Sequence, residues 1–369
     1  MLLVIQGTGF CNLDCSYCYL PNRDKTASIK IDAIDKIVER IKEWPAKPSE
    51  ISVVWHAGEP LVLPINFYKE VFSRFSSLTS ESLRISHNIQ TNATLITSKW
   101  AEFFLEHEVQ IGVSIDGPEH IHNFARKHRD GRGSWDECMR GIKILQDKNV
   151  PFHVISVLSS RSLADPDALY EFYRQNEFYN IAFNFEEIDG INKNSSLDIV
   201  SAKEDAYNFL YAFLELNRQN GNSIIVREAE QAAAALIRGK FDRNTQAIAG
   251  DIISIDLDGN VSTFSPELLG IKNAEFDDFL IGNIFDQSFA AMISGANAQL
   301  MQREIDIGIE ACSRSCGYFA LCGGGAPANK MGETGTMRAA ETIYCRVSIQ
   351  AVLDACGDIL TNISRSRRQ

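Results

Sequence analysis

Cys11-Asn12-Leu13-Asp14-Cys15-Ser16-Tyr17-Cys18 places three thiols within eight positions, directly after the apolar run Leu2-Leu3-Val4-Ile5. Thiols spaced this closely can surround one compact inorganic core while their backbone remains a single loop. Read with the run before it, the stretch is a metal-cluster loop at the end of a strand. A four-iron cubane has four corners, so three thiolates leave one iron for a ligand that is not Cys. Two other readings compete. A structural zinc site builds a tetrahedron from separated Cys pairs or a Cys/His mixture, and no His lies between Met1 and Trp55. A disulfide framework belongs to small secreted domains, whereas this chain has 369 residues.

Cys11, Cys15 and Cys18, with Tyr17 just before the last of them, resemble the cluster loop of the radical S-adenosylmethionine (radical SAM) superfamily. The resemblance implies a [4Fe-4S] cluster whose fourth iron is chelated by the methionyl amine and carboxylate of S-adenosylmethionine. It also implies reductive cleavage of that cofactor to a 5′-deoxyadenosyl radical, and therefore an external electron donor such as a small reductase, ferredoxin or flavodoxin.

Composition agrees with a folded chain and does not indicate disorder. The 45% hydrophobic content is ample for a core in one large or two moderate domains. The N-terminal apolar run is short and lacks a basic flank, unlike a signal peptide. No stretch reaches the roughly 20 apolar residues that span a bilayer. Nine Cys without an export signal suggest a reducing compartment, with the cytoplasm as the default location. A net charge of −12 argues against nucleic acid as a partner and suits a neutral or basic one.

From Met1 to about residue 190, short apolar runs alternate with helical periods. Strands are expected at Leu2–Gln6, Ile51–Trp55, Arg84–Gln90, Gln110–Ile115, Phe152–Leu158 and Asn180–Phe185. Between them, Ile34, Ile37, Val38, Ile41 and Trp44 recur at helical spacing, and similar patterns cover about 65–78, 97–108, 134–148 and 165–175. Six such alternations predict a parallel sheet with right-handed crossovers. The fold class is α/β: a partial (β/α)6 TIM-like barrel, with its chemistry at the carboxyl ends of the strands.

Each polar motif follows a strand. His56-Ala57-Gly58-Glu59-Pro60 can offer backbone oxygen to an ammonium group, since Gly58 allows close approach and Pro60 stiffens the exit. In the family this position usually reads Gly-Gly-Glu-Pro and contacts the methionyl amine, which implicates Gly58, Glu59 and Pro60; an ordinary turn is the plainer alternative. Gln90-Thr91-Asn92-Ala93-Thr94 opens the next helix, whose cap is expected at Thr97. The resemblance makes Asn92 a cofactor-pocket residue. Ser114-Ile115-Asp116-Gly117-Pro118 ends the fourth strand and is followed by Arg126, whose guanidinium can grip the methionyl carboxylate bidentately. Asp116 belongs to the same pocket, and Ser156 is either a ribose contact or a core-edge hydroxyl. Lys127, His128 and Arg129 read as a solvated basic patch. Glu186 and Glu187, after the sixth strand, could receive a basic or amide-rich peptide or be plain turn residues.

Residues 201–245 read as a helical bridge, with the Ala232–Ile237 run in the core. A hairpin is expected over 252–263, turning at Asp258-Gly259-Asn260. Beyond it, Cys312, Cys316, Cys322 and Cys345 can close all four corners of a second cubane, or hold zinc. Hairpin, Ile281-Gly282-Asn283 and Cys group together resemble the SPASM extension, or its shorter relative twitch, of radical SAM enzymes that modify peptides and proteins. The full extension carries two auxiliary clusters, but this chain has no Cys between 139 and 311, and Ala326 follows Cys322-Gly323-Gly324-Gly325. One auxiliary [4Fe-4S] cluster is therefore expected. The organisation is a radical SAM partial barrel (1–200), a helical bridge (201–245) and a SPASM/twitch-like extension (246–369). Cys138 and Cys356 fall on apolar helical faces, as buried thiols.

The resemblance is nearest to maturases of glycine-rich ribosomal peptides, which join an aromatic ring to a side-chain carbon to form a cyclophane. It implies a precursor peptide as substrate. Glu267 follows Pro266 on the loop after the hairpin, where the similar sulfatase-maturating enzymes place an acid, and is the expected proton acceptor; Asp258, which its turn role already explains, is a second candidate. An anaerobic sulfatase-maturating oxidase, which makes formylglycine, is the alternative, and a non-catalytic metal-stabilised binding module is a further one.

Overall fold

The structure, a computed structural model, describes residues 1–45, 48–80, 82–197 and 200–366. Six strands, β1 (Leu2–Ile5), β2 (Glu50–Trp55), β3 (Arg84–Thr91), β4 (Gln110–Ser114), β5 (Phe152–Leu158) and β6 (Asn180–Phe185), lie side by side in chain order, all parallel. Their bounds fall within a residue of those expected. Helices cross between them, and each buries one stripe. Ile34, Ile37, Val38 and Ile41 of Ile31–Glu43 are buried together, and Thr97 accepts from the Trp100 amide to cap Ser98–Glu106. These are the 3.6-residue periods that the sequence displays.

Parallel strands covered by helices alternate between a helix-packed face and a lumen face. On β5, Val154, Ser156 and Leu158 are fully buried, whereas His153, Ile155 and Val157 are more open. On β6, Phe183 meets Tyr173, Phe209 and Phe213 on the helical side. Among the described residues no pairing joins the two ends of the sheet, so the barrel stays open.

The sheet continues where a bridge was expected. The helices Ala202–Gln219 and Arg227–Arg238 are separated by β7 (Ile225–Val226), which adds in parallel to β6. Ala232 and Ala235 are buried, but Ile237 is 77% exposed, so the apolar run there is only half core. At the other end β8 (Ile252–Ile255) pairs in parallel with β1, Leu2 opposite Ile252 and Ile5 opposite Ile255. It turns through Asp256–Gly259 into β9 (Asn260–Thr263), which β10 (Gly282–Asn283) extends. The order is β10-β9-β8-β1-β2-β3-β4-β5-β6-β7, one sheet shared by the barrel and the C-terminal part.

The remaining residues fold as helices. Ala296–Ser315 and Pro327–Thr334 carry or flank the second thiol group. Ala351–Ser366 packs back on Ala202–Gln219, where Lys203 pairs with Asp354 at 2.9 Å and the Tyr207 hydroxyl donates to Asp358 at 2.7 Å. Cys138 and Cys356 are buried, and burial pushes each thiol up to about 12. Among the described residues no helix is long and apolar enough to cross a membrane.

Candidate functional site

The first thiol loop leaves β1 and is held by backbone contacts from three sides. The Cys11 amide donates to the Arg23 carbonyl, the Asp14 amide to Lys127 and the Ser16 amide to Ala125. Arg129 donates to the carbonyls of Cys11 (3.0 Å) and Arg23 (2.5 Å), and Arg23 to that of Cys15 (3.1 Å). His128 stands 2.9 Å from Glu137. The expected solvated patch at Lys127–Arg129 is therefore a clamp on the loop. Its contacts run through backbone oxygens, which residue type does not advertise.

Gly58 approaches the same loop. Its φ of +65° suits glycine, and a Cβ there would lie 2.6 Å from the Phe10 and Thr8 carbonyl oxygens. The Glu59 amide donates to Phe10 at 2.8 Å, but its carboxylate turns away from the loop. It accepts from the Asn92 amide (2.8 Å), the Thr91 hydroxyl (2.7 Å) and the Leu61 amide (2.9 Å), tying the end of β2 to the end of β3. Burial raises its pKa against those three donors. Asn92 then reaches the thiol loop through Asn12, Nδ2 to Oδ1 at 2.9 Å, and Asn12 donates to Thr94 at 2.8 Å.

Opposite lies a buried charged trio. The Tyr17 hydroxyl donates to Asp116 Oδ2 at 2.6 Å, Arg126 Nε stands 3.0 Å from the same oxygen, and the Val157 amide donates to Oδ1 at 3.0 Å. The Arg126 approach is electrostatic, because its Nε–H finds no aligned acceptor. The guanidinium lies over the Tyr17 ring, 5.5 Å from its centroid, and among the described residues its two terminal nitrogens have no hydrogen-bond partner. Burial works against the Arg126 charge, yet Asp116, Tyr17 and Cys15 outweigh it and raise its pKa. His122 bridges to Ser134 at 3.0 Å and is driven down to about 3 by burial, so it stays neutral.

Ser156 leaves the expected pocket. It is fully buried on the helix-packed face of β5, donates to the Ile115 carbonyl and meets the Tyr173 hydroxyl at 2.7 Å. A strand's two-residue period puts it on the far side of the sheet from the lumen.

Burial pushes the Cys11 thiol up to about 12, with Glu59 adding to it, and burial raises Cys15 to about 11 despite Arg126. Proteins rarely assemble buried thiols within electrostatic range of one another unless metal binding replaces their protons. Among the described residues no three His, Cys, Asp or Glu side chains form the tight group that grips a single bare ion. Three thiols with no fourth fit a cluster with one open iron.

The second group gathers where three helices meet. Gly323, Gly324 and Gly325 all have positive φ, which turns the amides of Gly324 and Gly325 to the Cys322 sulfur. These donors work against the burial that raises that thiol. Thr342 and Cys345 form a capping box. Lys330, 4% exposed, places Nζ 3.3 Å from Cys312 Sγ and 3.2 Å from the Gly308 carbonyl, with no carboxylate pair among the described residues. A buried ammonium without a counter-ion is costly. A thiolate-ligated cluster supplies the missing negative charge, so the residues present fit such a group.

Several carboxylates gather near Tyr19, just after the first thiol loop. Glu187 accepts from the Asn329 side chain, and Glu267 from the Ser265 hydroxyl. Pro266, just before Glu267, shares a small cavity with Tyr19, His56, Ala57 and Ser254, and the Tyr19 hydroxyl lies 3.1 Å from His56 Nε2. Asp189, which carries no signal in sequence beyond one more acid after a strand, is only 2% exposed. Burial and then Glu267 raise it to about 7. Two expected residues fall outside this cluster. Glu186 binds the Ser196 amide (2.9 Å) and hydroxyl, closing its own loop. Asp258 sits exposed at the hairpin tip, where its carbonyl accepts from Asn283 at 3.0 Å; the tight turn alone accounts for it.

Residues 5–173 match the family described as Radical SAM superfamily. The chain is 37% identical over 358 residues to Uncharacterized protein sll1766 of Synechocystis sp., covering 96% of this chain and 90% of that one. It is 35% identical over 164 residues to the serine-type anaerobic sulfatase-maturating enzyme of Klebsiella aerogenes, a match that spans 44% of this chain and 40% of that one. Among solved structures, native anSMEcpe with bound AdoMet and Kp18Cys peptide superposes with a TM-score of 0.81 at 22% identity, over 99% of both chains. That likeness is one of fold.

Proposed function

Because this chain belongs to the radical SAM superfamily, we propose that it matures a ribosomally made precursor peptide, taking a hydrogen from a side-chain carbon and joining that carbon to an aromatic ring as a cyclophane. One observation carries the choice. Beyond the hairpin the sequence supplies four thiols, Cys312, Cys316, Cys322 and Cys345, the number that closes one cubane, while Phe264-Ser265 stands after the hairpin with no thiol to hold another cluster. One auxiliary cluster beside one cofactor-cleaving cluster is the pattern of the peptide maturases that the sequence resembles.

In this reading Cys11, Cys15 and Cys18 hold the first cluster, which when bound supplies the electron that cleaves S-adenosylmethionine. Gly58 and Pro60 shape the backbone that faces the methionyl amine, and Asn92 and Tyr17 wall the pocket. Glu59 acts through its three hydrogen bonds as a brace. Asp116 engages Nε of Arg126 and leaves the terminal nitrogens for the methionyl carboxylate. Carbon–carbon joining after loss of one hydrogen atom releases one proton and one electron. Glu267 accepts the proton, and Cys312, Cys316, Cys322 and Cys345 would hold the cluster that, when bound, would serve as the one-electron acceptor. The reductant is a small reductase, ferredoxin or flavodoxin, and the setting is cytoplasmic. Functionally the chain divides into the barrel (1–200), the bridge (201–245) and the auxiliary-cluster part (246–369).

The 35% identity to a serine-type anaerobic sulfatase-maturating enzyme favours formylglycine formation as the second reading. Anaerobic incubation of the reduced enzyme with S-adenosylmethionine and candidate peptides separates the two. A crosslink removes two hydrogen atoms, suppresses fragmentation between the joined residues and leaves nothing for a hydrazine probe to trap. A product that the hydrazine captures as an aldehyde overturns the cyclophane.

A further inference from the structure

Glu187, Asp189 and Glu267 lie within electrostatic range of one another and of Tyr19, just after the first thiol loop. Among the described residues none of the three takes part in an ion pair. Their neutral donors are few: the Asn329 amide on Glu187, the Ser265 hydroxyl on Glu267 and the Gly190 amide, at 2.7 Å, on Asp189 Oδ1. Asp189 Oδ2 is buried and has no partner. It belongs to a residue 2% exposed, on a loop docked against the cluster loop, where the Ile191 amide donates to the Tyr19 carbonyl at 3.1 Å. Gly332, on the helix Pro327–Thr334, packs so close to this loop that a Cβ would lie 2.4 Å from the Ile188 carbonyl oxygen. The loop is thus fixed from both sides, and the free oxygen is held in place.

Other charged groups nearby do not answer these acids. Glu333 adds a further negative charge and caps the chain at Ile343 and Tyr344 (2.6 and 2.8 Å). Lys193 influences Asp189 without pairing with it. Burial, with the neighbouring Glu267 and Asp189, holds Glu187 well above the usual carboxylate range. An unpartnered buried acceptor amid like charges is unfavourable as it stands and becomes favourable when a cation enters.

We infer that Glu187 and Asp189, with Glu267 completing the charge, form a subsite for the lysine or arginine side chain of a precursor peptide. The inference rests on the peptide-maturase reading and names the chemistry by which the peptide would be recognised. The cation fixes the peptide's register beside the cluster loop, against which the Asp189 loop is docked.

The test uses the full-length reconstituted enzyme with S-adenosylmethionine, under anaerobic calorimetry. The probes are acetyl-Gly-Gly-Tyr-Gly-Lys-Gly-Gly-amide and the same peptide with norleucine in place of lysine. The lysine peptide is expected to bind about tenfold tighter or more, in the range of close charge pairs at interfaces. Asp189→Asn, which keeps the acceptor for the Gly190 amide, and Glu187→Gln, which keeps one for Asn329, should each shrink that preference several-fold. Both variants are judged at wild-type iron content and melting profile. Equal binding of the two peptides, or an undiminished preference in both variants, overturns the subsite while leaving the maturase reading intact. Failure of the wild type to bind either peptide counts against both.

Discussion

Ser156 donates to the Ile115 carbonyl and meets Tyr173 in a fully buried setting, so its role is to join β5 to the helix outside it. Ser156→Ala should lower unfolding free energy by ~1–3 kcal/mol through the unsatisfied partners it leaves, with S-adenosylmethionine affinity unchanged in equilibrium binding. Lys330 works in the opposite sense, because its charge lacks a counter-ion until the second site is filled. Lys330→Met should raise the melting temperature of the metal-free chain, and yet weaken iron retention at that site about 10- to 100-fold under chelator challenge. Asp189 makes the pH dependence legible. An Asp ionises near ~4 when unfolded but at about 7 in the fold. Between those values the native state binds the extra proton, so stability falls as pH rises from about 4 through about 7. Peptide-free Asp189→Asn should show a flatter melting-temperature profile than wild type over that window. None of these three residues could be placed by type: a Ser, a Lys and an Asp read identically whether they face solvent, core or lumen.

At the scale of elements, the six strands and their helices were plain in the sequence because each is a local pattern, a run or a 3.6-residue period that burial alone enforces. The thiol positions were equally plain, since three or four Cys at short spacing have few other uses. Two elements were not. β7 is two residues long, too short for any period, and forms because β6 offers it an edge. The long helix Ala296–Ser315 interrupts its buried face with Glu304 and Gly308. Those interruptions have local causes. Glu304 pairs with Arg338, and a Cβ on Gly308 would lie 2.2 Å from the Met337 carbonyl oxygen. The thiol loop shows what such close approach demands. Gly58→Ala would force a Cβ to within 2.6 Å of two carbonyl oxygens at a φ of +65°. Reconstituted Gly58→Ala should therefore drop from about eight irons towards about four, the second site alone remaining filled. Retention of full iron would mean that the loop can move aside.

Across the whole molecule, the sheet does not stop where the sequence changes character near residue 246. Leu2 donates to the Asp251 carbonyl and Gln6 to that of Ile255, both at 2.9 Å, so β1 owes one of its two neighbours to β8. Leu3 and Ile5, fully buried between them, sit immediately before the thiol loop. This long-range pairing is invisible to local patterning, because β8 reads as one arm of a hairpin whichever sheet it joins. Removing residues 246–369 would leave β1 as an edge strand, with an exposed row of backbone donors and acceptors and an apolar face, the features that promote aggregation. The fragment 1–245 should accordingly be insoluble, or lose amide protection along β1 in hydrogen exchange, and fail to hold iron at Cys11, Cys15 and Cys18. If it instead stays soluble, protected and iron-loaded, the first thiol site belongs to an autonomous barrel. If it fails as expected, the part that carries the second thiol group also supports the strand from which the first is presented, and the two sites share one folding unit.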